Sequence, residues 1–142
     1  MSVITQIADA VVTSLNGGSF SQSFTAQRRY QPSFALAEME TLRVTVVPKS
    51  VSITNATRDS GFFDCAIDIG VQKKVNPEDQ AEADALLGLV DELMTHLRGR
   101  RLDDAPEAAW LSPTHDPIFA AEHLDSKHVL TSVLTVAYRV QR

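Results

Sequence analysis

The stretch FFDCAIDIGVQKK, residues 62–74, decides how the chain folds. Phe63, Cys65, Ile67, Ile69 and Val71 recur on every second residue, the period of one face of a β-strand. Asp64, Asp68 and Gln72 fall on the opposite parity, so one face is apolar and the other largely polar. A strand over 62–72 would reach about 36 Å, long for a small domain. Asn76-Pro77-Glu78-Asp79 follows as a helix start, with Asn76 as N-cap, proline in the first helical position and acids in the first turn. The helix it predicts, 77–98, carries Leu86, Val90, Leu93 and Leu97 on one stripe and meets Gly99 as its C-terminal cap. A long half-buried strand feeding an amphipathic helix is the centre of a two-layer domain of sheet and helices.

The flanking sequence adds strands and one more helix. Ser2 is an N-cap for a helix with Ile4, Ile7, Ala8, Val11 and Leu15 on one face, stopped by Asn16-Gly17-Gly18 through residues that tolerate positive φ. Strands are predicted over 24–30, ended by Pro32, and over 42–47, ended by Pro48. Further strands over 51–57 and 62–72 pair as a hairpin across Arg58-Asp59-Ser60-Gly61. Residues 33–40 read as a connector, 108–111 as a short strand, 112–124 as a loop and 127–140 as a second long strand. Leu130, Leu134, Val136, Tyr138 and Val140 keep one parity along that last strand. The expected fold is α+β, a single two-layer domain over 1–142 in the order α-β-β-β-β-α-β-β, its largely antiparallel sheet packed against two helices.

Composition narrows the function classes. A chain of 142 residues with 44% hydrophobic and 22% charged residues is an ordinary globular sequence. A net charge of −5 argues against a general nucleic-acid binder, whose phosphate affinity needs concentrated positive charge. The sequence has no apolar run of membrane-spanning length, and MSVITQIADAVV lacks the pattern of a signal peptide. The one cysteine, Cys65, sits on the apolar parity of its strand and reads as a buried structural thiol of a protein made in a reducing cytoplasm.

Reactive constellations are weak. His96, His115, His123 and His128 belong to no zinc spacing, and Glu92 with His96, one helical turn apart, reads as a solvated helix contact. Asp64 and Asp68 share one strand face, with Asp59 in the adjacent turn. They could hold a cation, but on a polar strand face they are more often solvated or set against a neighbouring subunit's arginine. Arg98, Arg100 and Arg101, with Arg28 and Arg29 elsewhere, read as a helix-end charge cluster rather than a DNA patch. Neither a GxSxG elbow nor a phosphate-cradling glycine loop is present, and no cofactor, metal site or catalytic residue is expected.

TLRVTVVP at 41–48 and IDIGVQKK at 67–74 form a set with Trp110, DPIF at 116–119, EHL at 122–124, TSVLTV at 131–136 and YRV at 138–140. In this order and spacing the chain resembles, over nearly its whole length, the tail-terminator or tail-completion proteins of long-tailed bacteriophages and prophages. Neck proteins of head–tail joining have a similar fold. The resemblance implies a non-enzymatic virion protein, synthesised in the host bacterial cytoplasm. It forms a homo-oligomeric ring, normally a hexamer, on the head-proximal end of the tail tube. Its partners would be the tube protein, the neck or connector protein and, in contractile tails, the sheath, with DNA only passing through the lumen. Residues expected at subunit or tube contacts are Asp64, Asp68, Arg100, Arg101, Trp110, Phe119 and His123, with the segment from Trp110 to Leu124 reaching a neighbour. Alternatives are a neck protein, that is, a connector or stopper on the portal side, and a small α+β enzyme or ligand-binding domain. A DNA-binding regulator is disfavoured by the net charge.

Overall fold

The computed structural model describes residues 2–30, 40–55, 57–76, 78–98, 100–111 and 128–142. Expectations that fall on 31–39, on Pro77, on Gly99 or on 112–127, including Phe119 and His123, lie outside the described residues. The elements are α1 (Val3–Asn16), β1 (Ala26–Arg28), β2 (Arg43–Asn55), β3 (Gly61–Lys74), α2 (Gln80–Leu97), β4 (Ala109–Trp110) and β5 (Val129–Gln141). The α+β class and the two helices over a mostly antiparallel sheet are as expected. The five strands lie in the order β1-β2-β3-β5-β4, with β1 parallel to β2 and the other neighbours antiparallel.

The alternation read from 62–74 is the alternation observed. Cys65, Ile67, Ile69 and Val71 are fully buried on the face that the helices cover. Their partners on β5, Tyr138, Val136, Leu134 and Ser132, are also fully buried. α1 packs over β1, β2 and β3 through Ile7, Ala8, Val11 and Leu15, while α2 packs on β5 and α1. Leu89, Val90, Leu93 and Leu97 of α2 complete the main core cluster. Leu86 joins a smaller cluster with Val75 and Leu130.

Two boundaries and one cap conformation differ from expectation, each for a local reason. The strands predicted over 42–47 and 51–57 are one strand, β2, because Pro48 does not stop it. The register against β3 instead shifts between Pro48 and Ser50, leaving Lys49 as an extra residue. A proline is tolerated at such a bulge, where the ladder is already interrupted. The extra residue also moves the phase: Val44, Val46 and Pro48 share the parity of Ile69 and Ile67, and beyond the bulge Val51 and Ile53 take it over opposite Cys65 and Phe63. The sequence alternation breaks at this point, which is why it reads as two strands.

At α2, the N-cap is Asp79 rather than Asn76. Asp79 accepts from Glu82 N at 3.2 Å, while Asn76 Oδ1 accepts from Glu78 N in the turn before the helix. At α1, Ser2 is the N-cap as expected. Gly17, however, keeps a right-handed φ of −87° and donates to Thr13 O, so positive φ is not what the glycines supply. Gly18 is needed for room: a Cβ there would lie 2.8 Å from the Phe20 ring and 3.0 Å from His96.

Tyr138 is the largest side chain buried in the sheet–helix interface, and burial pushes its phenol pKa up. Its hydroxyl has no hydrogen-bond partner among the described residues. An unpaired buried hydroxyl is a cost that phenylalanine would remove without changing the ring. Tyr138→Phe is therefore expected to leave stability unchanged or raise it by up to about 1 kcal/mol in urea unfolding. A loss of that size would show that the hydroxyl is bonded after all.

Candidate assembly surface

The sheet has one face under the helices and one facing away, and the second carries the carboxylates that sequence analysis singled out. Its central row comes from β3, whose Asp64 and Asp68 lie two pleats apart. Asp64 pairs in register with Ser52 on one side and Arg139 on the other. Arg139 grips it with both arms, Nε to Oδ1 at 2.7 Å and Nη2 to Oδ2 at 2.9 Å, and lays its guanidinium over the Phe62 ring at 4.8 Å. The hydrogen bonds from Arg139 hold the Asp64 carboxyl below its ordinary range. Asp68 accepts from Thr135 Oγ1 at 2.6 Å, and Lys49, the bulge residue, brings its Nζ to 3.8 Å. Both carboxylates are thus answered within the chain.

Further along the same face the polar residues become buried. Thr45 lies opposite Gly70, and Gln72 lies between Arg43 and Thr131. Thr45, Gln72 and Thr131 are at most 6% exposed. Gln72 Nε2 donates to Thr131 Oγ1 at 3.4 Å, whereas Thr45 Oγ1 and Gln72 Oε1 have no partner among the described residues. Gln72, expected on a largely polar face, is in fact buried. No local signal marked it, because Thr131 lies 59 positions away and meets Gln72 only through strand register.

In the opposite direction β2 leaves the core altogether. Every residue from Lys49 to Asn55 is exposed, including Val51 and Ile53 at 38% and 61%. The hairpin closes through Thr57 N to Ser60 O at 3.2 Å and Thr57 Oγ1 to Ser60 Oγ at 2.7 Å. Gly61 then sits so close to Thr54 O that a Cβ would lie 2.9 Å away, and it exchanges two backbone bonds with Arg142. The last residue of the chain thereby braces the root of the hairpin.

The remaining expected contact residues are dispersed. Trp110 lies on the outermost strand with its ring edge-on to Tyr138 at 5.6 Å, half-buried against the core. Arg100 and Arg101 belong to the helical layer, where Arg100 Nε donates to His96 O at 2.8 Å. With Thr13, Ser14, Asp103 and Asp104 they line a cleft of about 150 Å³. His96 and Glu92 do not act as a pair: the Glu92 carboxylate holds Ser21 N and Oγ, and His96 Nε2 lies 3.1 Å from both Ser14 Oγ and Ser14 O. Arg28 is taken by Asp9 at 2.6 Å. The Cys65 thiol is buried, which raises its pKa. Among the described residues no three His, Cys, Asp or Glu side chains converge as metal ligands, and no helix is long and apolar enough to cross a membrane.

Neither a protein-family profile nor a curated protein matches the chain by sequence. Solved structures match it by fold. A chain from the virion of a native gene transfer agent particle aligns over 100% of both chains with a TM-score of 0.61 and 16% identity. The sheath/tube terminator of an extracellular contractile injection system, PVC, in its extended state aligns with a TM-score of 0.54 and 15% identity. There the match covers all of this chain and 57% of the terminator chain. The chain therefore shares the α+β fold of these two chains, the fold that the resemblance in the sequence implied.

Two outcomes follow from the geometry. Asp64→Arg and Arg139→Asp are each expected to lower the thermal midpoint, and the double exchange to recover part of the loss; a double variant as unstable as the sum of the two would show that the pair does not interact. Desolvation, with Arg100 nearby, holds the His96 pKa below its ordinary 6.5. A group with a depressed folded pKa stabilises fully above its unfolded value, and that stability is lost as pH falls through the folded value. Between pH 7 and about pH 5, stability in urea should fall less in His96→Gln than in wild type, while identical profiles would remove His96 from the acid response.

Proposed function

We propose that the protein is a non-enzymatic virion component that forms a ring, of six subunits, on the head-proximal end of a tail tube. There it ends tube polymerisation and offers a surface to the neck proteins. The observation that carries this reading is the fold likeness to a sheath/tube terminator over the whole of this chain. The full-length likeness to a virion chain of a gene transfer agent particle supports it. The exposed outer half of β2, Lys49 to Asn55, fits an assembly role, since it presents Val51 and Ile53 uncovered among the described residues.

A closed ring is built from heterologous contacts, in which two different surfaces of one subunit meet. The two ends of the strand axis differ as such contacts require: the hairpin at 55–61 on one, and on the other an open groove between Lys74, Glu78, Glu82 and His128. The pairing of Asp64 and Asp68 with Arg139, Thr135 and Lys49 leaves the outer sheet face nearly neutral at its centre. A net charge of −5 suits a channel through which DNA passes without sticking.

Deleting the gene from the particle that encodes it and imaging the products by electron microscopy tests the reading. The expected products are overlong tubes or sheaths beside unattached heads. Tails of normal length beside unattached heads would move the protein to the neck, as a connector or stopper. Normal infectious particles would overturn the assembly role altogether.

A further inference from the structure

The outer half of β2 is an edge without a neighbour among the described residues. β1 covers β2 only from Val44 to Val46, and the last bond on that side runs from Arg29 N to Val46 O. Pro48, the bulge and Lys49 follow, devices that ordinarily protect a sheet edge. Among the described residues no strand pairs with the next six, Ser50 to Asn55, on that side, and all six are exposed. Only three large hydrophobic side chains are exposed among the described residues, Tyr30, Val51 and Ile53, and two of them stand here.

We propose that this edge pairs with the same edge of a second copy, forming a two-fold antiparallel dimer centred on Ser52. The segment S-V-S-I-T, 50–54, is self-complementary about its middle residue. Centring on Ser52 places Val51 opposite the partner's Ile53, and Ser50 opposite the partner's Thr54. It also places Lys49 opposite the partner's Asn55, so no like charges meet. Four apolar side chains then gather on one face and a row of hydroxyls on the other, the cross-strand pairs that stabilise sheets. A shift of the centre to Val51 would set Lys49 against Ile53, a shift to Ile53 would set Val51 against Asn55, and either loses both Val–Ile pairs. On the opposite edge of the sheet, β4 itself offers only two residues, Ala109 and Trp110.

A six-residue edge on each partner is a small interface, so the dimer is weak and forms with rising concentration. Such pairing occupies an edge that would otherwise invite open-ended strand addition. The inference stands apart from the ring reading, because it concerns the free chain without tube or neck.

The test is sedimentation of the purified chain from about 1 µM to about 1 mM. The expected result is a monomer–dimer equilibrium that goes no further. Ile53→Lys should weaken it at least about tenfold while keeping the wild-type thermal midpoint, since Ile53 is exposed in the monomer. Ser52→Cys in a Cys65→Ala background should oxidise readily to a covalent dimer, because directly opposite strand residues have Cα separations that a disulfide spans. Thr57→Cys in the same background should not, as its two copies would lie about 33 Å apart in this register. A chain that stays monomeric throughout overturns the proposal. So does Ser52→Cys oxidation no faster than Thr57→Cys, or association into larger species untouched by Ile53→Lys.

Discussion

Everything in this protein hangs on the hydrogen bonding of β3 along both of its flanks. A strand of 14 residues is an extreme length for a small domain, and its backbone groups must find partners wherever water is excluded. β2 supplies them on one side from Gly61 to Gln72, with one register shift at the bulge, and β5 on the other from Phe62 to Lys74. Both ends are tied as well. Gly61 and Arg142 exchange two bonds at one end, and Val75 N reaches His128 O at 2.8 Å at the other. With the three strands locked together, the parity of Ile67 and its neighbours dictates which face the helices cover, because a one-residue slip would turn the apolar set towards solvent.

The helical layer is shorter than the sheet beneath it, and that mismatch divides the molecule. Over the first half of β2, α1 closes the core and Val44 and Val46 are buried. Past the bulge the strand continues without cover. The same device performs both jobs: the extra Lys49 keeps Val51 and Ile53 on the helix side of the sheet, yet places them where no helix reaches. At that end β3 and β5 stay buried through Cys65, Tyr138 and Val140, while the outer half of β2 holds Val51 and Ile53 uncovered among the described residues.

Charge follows a similar economy. Paired aspartates on one strand face are a motif with several chemical uses, but here each has a cross-strand partner in the same chain. The helical layer is joined in the same manner, by short-range polar grips between distant segments. His96 meets Ser14 across α1 and α2, Glu92 pins the loop after α1 through Ser21, and Asn16 clasps the Ala26 backbone in both directions. These contacts orient the helices over the sheet.

The apolar period of 63–71 and of 130–140, the stripe Leu86, Val90, Leu93 and Leu97, and the Ser2 cap were all legible in the sequence. Each is a local pattern whose physical cause lies within a few residues, and together they determined the class, the two helices and the strands β3 and β5. What lay beyond reach depends on which strand lies beside which. Continuity of β2 through Pro48 is visible only when β3 is there to define a bulge. Arg139 as the partner of Asp64 is separated from it by 75 positions and meets it only through register. The burial of Gln72 beside Thr131 and the exposure of Ile53 are likewise properties of the assembled layers. The sequence alone specified which residues prefer a core; the tertiary structure decided which of them obtain one, because burial is set by what packs against a face and not by the face itself.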